Sequence, residues 1–191
     1  MEATRLDVKL FAKPAPGFEL SELIPVFHGW IQRGAIEDEL LIDVADYSHV
    51  VDGPGVLLVG HEAQYGLEQG KGRTGLLYSQ RRARVEGFEQ ALSYGLRHAL
   101  RAVSLLQKEA SLRGKLDWSG QELMLRINDR LHAPNTPETW KAVEPVAGPV
   151  LRKLFGGELS LEPAPPSSEL FTLYARCAKG APIDTLLSRL D

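Results

Sequence analysis

The segment Glu39–Arg82 constrains the fold most. It carries strand-like runs in close succession: Leu40 to Val50, Val56 to Leu67 and Thr74 to Gln80. A turn cluster, Val51-Asp52-Gly53-Pro54-Gly55, separates the first two. A glycine-rich connection from Gly66 to Arg73 leads into the third. That connection lacks the Walker spacing and opens no helix, so it reads as a hairpin loop rather than a phosphate loop. Connections this short join antiparallel strands.

Side chains alternate across a strand, so the register decides which residues share a face. Placing Val50 opposite Leu57 sets Val44 against Ala63, Ile42 against Tyr65 and Leu40 against Leu67. One face then becomes largely apolar. The other carries Asp43, Tyr47, His49, Glu62 and Gln64. Tyr47 stands across from Gly60, and Asp46 meets His61 on the apolar face. An Asp beside a His in apolar surroundings fixes one tautomer and favours the charged ring, while burial opposes it. Asp46 and His61 are therefore the candidate acid/base pair. Tyr65 joins the mixed-face residues as a candidate ligand contact. His49, His61 and the nearby carboxylates match no established ligand spacing, so no metal site is assigned.

The rest of the chain alternates strand and helix patterns. Leu6, Val8 and Leu10 alternate with Asp7 and Lys9, a half-buried strand with its charges toward solvent. Leu23, Ile24, Phe27, Trp30 and Ile31 give a helix its apolar side, with Ser21 as its cap, Pro25 in its first turn and Gly34 at its end. His28 lies at the margin of that side. Glu86 to Arg113 holds the longest helical periodicity, ending at Gly114. Gln121 to Leu131 alternates again. Thr136-Pro137 opens a helical stretch to Phe155, in which Pro145 and Pro149 predict two pieces or a kink. Leu159 and Leu161 mark a short strand, 163–168 is a linker-like loop, and 170–178 is a last strand. Residues 183–190 form a closing helix.

This order, β-α-β-β-β-α then β-α-β-β-α, predicts an α+β fold of antiparallel sheets with helices on one face. It reads as two ferredoxin-like βαββα halves, 1–115 and 116–191, in one domain, either a duplication or a barrel. The order fixes no cofactor.

A second candidate site lies where a strand gives way to a helix start. Asn128, Asp129 and Arg130 stand there, and Arg126 and Arg130 offer charge for an acidic group. The competing structural role has Asn128 and Asp129 capping the turn and Arg130 pairing with the acidic strands.

Charge is segregated along the chain. Eight acids and no Lys or Arg lie between Glu37 and Glu68, whereas ten bases, Arg84 among them, lie between Lys71 and Lys115. Mutual attraction of the two regions, within one molecule or across a homodimer, is the expected meaning. The net charge of −3 and the lack of interleaved exposed aromatics argue against nucleic acid on the basic helix 86–113. The lone Cys177, in a strand pattern, reads as a core residue of a protein in a reducing cytoplasm. The charged N-terminal segment and the lack of a long apolar run argue against a signal segment or membrane span.

The function these features predict is a binding or assembly module, using the mixed face around Tyr47, His49 and Glu62 for a small molecule or protein partner. The rival is a small-molecule enzyme with Asp46–His61 as acid/base pair and Arg130 as anion holder. The third reading is nucleic-acid binding by the basic helix.

Overall fold

The computed structural model describes residues 5–82, 85–165 and 169–190. Arg84 and the 166–168 part of the expected linker lie outside them. Eight strands form one antiparallel sheet in the order β2-β3-β4-β5-β1-β6-β8-β7. They are β1 (Leu6–Pro14), β2 (Leu41–Tyr47), β3 (Gly55–Gly60), β4 (Ala63–Glu68), β5 (Gly75–Gln80), β6 (Leu116–Ile127), β7 (Ser160–Pro163) and β8 (Thr172–Arg176). Four helices accompany them: α1 (Leu23–Arg33), α2 (Phe88–Lys108), α3 (Pro137–Phe155) and α4 (Ile183–Ser188). The sheet is open, with β2 and β7 as unjoined edges, so it is neither a closed barrel nor two stacked sheets.

The core lies between the helices and one sheet face. Leu6, Val8 and Leu10 of β1 point into it, with Tyr65, Tyr78, Leu123 and Leu125 from neighbouring strands. Phe27 and Trp30 of α1 and Leu92, Leu96 and Val103 of α2 meet them. The long helix follows its apolar periodicity but ends at Lys108, well before Gly114, and a short 3-10 turn over Ala110–Leu112 carries the chain on. The stretch through Pro145 and Pro149 is one helix, not two. Thr136 caps it, its hydroxyl accepting from the Thr139 N–H. Ser21, the expected cap of α1, falls instead in a 3-10 turn. Gly34 ends α1 as expected, in the left-handed region at φ 57°.

The largest correction concerns the expected strand from Val56 to Leu67. It is a hairpin, β3 and β4, that reverses at His61 and Glu62. The Glu39 carboxylate holds the reversal by accepting from the Glu62 N–H at 2.9 Å. Gly60 makes room for it, since a β-carbon there would lie 2.5 Å from Glu39 Oε1. The hairpin also resets the register. Ala45, not Val50, lies opposite Leu57, and Asp46 lies opposite Val56.

A second correction concerns β1. As a central strand it buries both faces. Asp7 and Lys9, expected at the solvent side, are only 2% and 3% exposed. Cys177 is half-buried rather than a core residue, its thiol donating to the Lys179 carbonyl. No helix among the described residues is long and apolar enough to cross a membrane.

Candidate functional site

Asp7, Lys9 and Phe11 alternate with the core residues of β1 and therefore face the side without helices. Their cross-strand neighbours share that face: Ser79, Leu77 and Gly75 on β5, and Arg126 and Met124 on β6. Tyr174 on β8 extends the row through Met124. The result is a broad helix-free surface with a line of charge down its middle.

Those charges are mostly committed to each other. The Lys9 ammonium pairs with the Glu68 carboxylate and also donates to the Arg73 carbonyl at 2.5 Å. Burial pushes Lys9 below the usual lysine range, and Glu68 pulls it part of the way back. Gly75 leaves space for this side chain: a β-carbon there would lie 2.9 Å from Lys9 Cε. Arg73 lays its guanidinium over the Phe11 ring, 3.7 Å from the centroid, and pairs with Glu122. Arg176 reaches the same carboxylate at 3.1 Å. Arg126 pairs with Asp7 at 2.8 Å.

Along this surface runs a groove of about 540 Å³. Its floor is Lys9, Leu77, Met124 and Tyr174, and Arg126 and Arg130 line it as well. At its rim the exposed side chains of Lys71 and Glu169 come within 3.3 Å of each other. Arg130 differs from the other cations here, because no carboxylate among the described residues pairs with it. An adjoining hollow of about 450 Å³ lies beside Trp118 and Gly180, and shares Phe11 and Arg73 with the groove.

The residues singled out from sequence are distributed unevenly around this groove. Arg130 and Arg126 belong to it. Asp129 does not reach in; it holds the turn, accepting from the Leu131 and His132 N–H groups and pairing with the His132 ring at 2.8 Å. Those bonds, the His132 N–H first, draw its carboxyl below the usual range. Asn128 is exposed, and its N–H donates to the Arg5 carbonyl. Asp43 and Tyr47 face the helix-free side, but on the edge strand β2, four strands from β1. His49 lies in the turn after β2, and Glu62 in the β3–β4 reversal.

Two expectations fail on geometry. Asp46 and His61 lie at opposite ends of β2: Asp46 is paired with Val56, whereas the His61 N–H bonds to the Leu40 carbonyl. Asp46 instead accepts from Ser48, whose bonds lower its pKa, and the His61 ring meets Arg82. Asp46 and His61 therefore do not pair. Tyr65 is wholly buried on the helix side, packed edge-on to Tyr78 with its hydroxyl 3.4 Å from His98 Nδ1. Burial drives its pKa far up, and it lies on the opposite side of the sheet from the groove.

Sequence reasoning missed Lys9, Phe11, Glu68, Arg73, Glu122 and Tyr174. A charged residue on an alternating strand reads as a solvent-facing one. Only knowledge that β1 is central would have marked Lys9 and Asp7 as buried and paired.

No protein-family model matches this chain, and no curated protein does either.

Proposed function

We propose that this protein is a binding module whose helix-free sheet face takes an anionic small molecule with an apolar body. The observation that carries this is Arg130, which lines the groove and pairs with no carboxylate among the described residues, beside an apolar floor of Leu77, Met124 and Tyr174. Guanidinium forks suit carboxylates and phosphates, and the floor suits a ring or short chain. The ion pairs of Lys9 and Arg126 keep the surrounding charges in place, so little has to reorganise on binding.

The test is thermal unfolding in the presence of phenyl phosphate, benzoate and, as a neutral control, benzyl alcohol. The anions raise the melting temperature with concentration and the control does not. Equal effects of anion and control, or no effect of either, overturn the reading.

The enzyme alternative loses the Asp46–His61 pair on which it rested. Nucleic acid gains no support either, since Arg97 and Arg101 are half-buried and Arg97 donates to the Leu190 carbonyl.

We also read the chain as two related halves. Each begins with a central strand, β1 or β6, and crosses by a helix to the sheet edge. Each then returns inward by antiparallel strands and ends in a helix. The first half adds one hairpin. The single cysteine supports a reducing compartment.

A further inference from the structure

We propose that the outer edge of β2 docks an extended, Lys- or Arg-rich segment of a partner protein, which joins the sheet as an added strand. This site is separate from the groove, and three observations converge on it.

First, β2 is an edge of the sheet. An edge strand presents backbone N–H and C=O groups that a further strand can pair. Second, exposed apolar side chains concentrate there. Leu40, Ile42, Tyr47, Val50 and Val51 are 68%, 55%, 43%, 44% and 91% exposed. Leu131 is the one other large hydrophobic side chain exposed to this degree among the described residues. Third, the charge is of one sign. No Lys or Arg occurs between Arg33 and Lys71, while Glu37, Asp38, Asp43 and Asp46 border the strand. None of these four pairs with a Lys or Arg among the described residues. Asp43 accepts from the Val44 N–H, and Asp46 from the side chain and N–H of Ser48. Proteins commonly guard such edges with lysine or proline. This edge has neither, only a register irregularity between Leu41 and Asp43.

The charge selects the occupant. A second copy pairing β2 with β2 would bring the acidic strands together. The other free edge, β7, carries Glu162 and no base, so β2 on β7 fares no better. Asp43 lies on the helix-free face with Val59, and Asp46 on the other face with Val56. A strand with a base on each face therefore meets both with the opposite charge, and its apolar residues cover Ile42.

The test is selection from a phage-displayed library of random peptides of roughly ten residues, long enough to match a strand. Selected peptides are enriched in Lys or Arg. They protect the amides of 41–47 from hydrogen exchange, and they bind at least about tenfold more weakly to both Ile42→Lys and Asp43→Lys. Each of those positions is exposed, so the variants keep the wild-type melting temperature, which is measured alongside. Peptides without that enrichment, protection elsewhere, or binding unchanged in both variants overturn the proposal. So does a concentration-dependent dimer of the protein alone that Ile42→Lys abolishes, since the occupant would then be a second copy.

Discussion

The Lys9 ammonium and the Glu68 carboxylate form an ion pair in the middle of the sheet, with 4% and 13% of their side chains exposed. Glu68 has a second duty, accepting from the Gly70 N–H that opens the β4–β5 connection. Glu68→Gln keeps that second bond but leaves a buried lysine without its counter-charge. The expected cost is about 3 kcal/mol, read from the urea midpoint. Lys9→Met combined with Glu68→Gln removes the stranded charge and recovers most of the loss. A single variant as stable as wild type would show that the pair is dispensable.

The lowered pKa of Lys9 makes a signed prediction about alkaline pH. Its folded pKa lies below the ordinary 10.5, so the unfolded chain holds this proton more tightly. Stability from this group therefore rises as pH climbs from the folded pKa toward 10.5. Lys9→Met lacks the titration. The stability difference between wild type and Lys9→Met shifts in favour of wild type across that window, measured by urea unfolding at a series of pH values. A difference that stays flat, or moves the other way, contradicts the assigned shift.

How far the fold was legible follows from what each pattern measures. Helical periodicity reports burial of one stripe against a core, so α1, α2 and α3 could be placed from Phe27, Leu96 and Thr136. Strand alternation reports one buried face, and β1, with both faces buried, defeats it: Lys9 looks like a solvent residue until β5 and β6 flank it. The hairpin at His61 and Glu62 was missed because Gly60-His61-Glu62 fits into a single run of alternating residues from Val56 to Leu67. No turn dipeptide interrupts it, and the device that holds the reversal, Glu39, comes from another part of the chain. The candidate site was legible only at Arg126 and Arg130. Its other members meet through long-range pairing that no local pattern encodes.

Close backbone approach predicts a sensitive glycine. The β-carbon of an alanine at position 120 would lie 1.8 Å from the Ala181 carbonyl oxygen, where the chain passes β6 on its way to α4. Gly120→Ala must push these backbones apart and is expected to cost about 1–3 kcal/mol. Gly157→Ala meets nothing within 4 Å and serves as the control, with an effect within about 0.5 kcal/mol. Thermal unfolding of both variants decides it. Equal stability of the two would mean that the loop carrying Ala181 yields without strain.

The two arginines of the groove separate binding from folding. Arg126 holds Asp7, whose side chain is only 3% exposed, so Arg126→Ala leaves a nearly buried carboxylate without its cation and costs about 2 kcal/mol. Arg130 is exposed and holds no acid among the described residues, so Arg130→Ala changes stability by less than about 0.5 kcal/mol. Affinity for phenyl phosphate responds differently. Arg130→Ala weakens it about tenfold, and Arg130→Lys restores part of that, keeping the charge but losing the planar fork. Added salt narrows the gap between wild type and Arg130→Ala, because an exposed guanidinium is readily screened. Calorimetric titration of the three proteins at two salt concentrations measures all of this. If Arg130→Ala binds as tightly as wild type, the anion is held elsewhere and the groove is not its site.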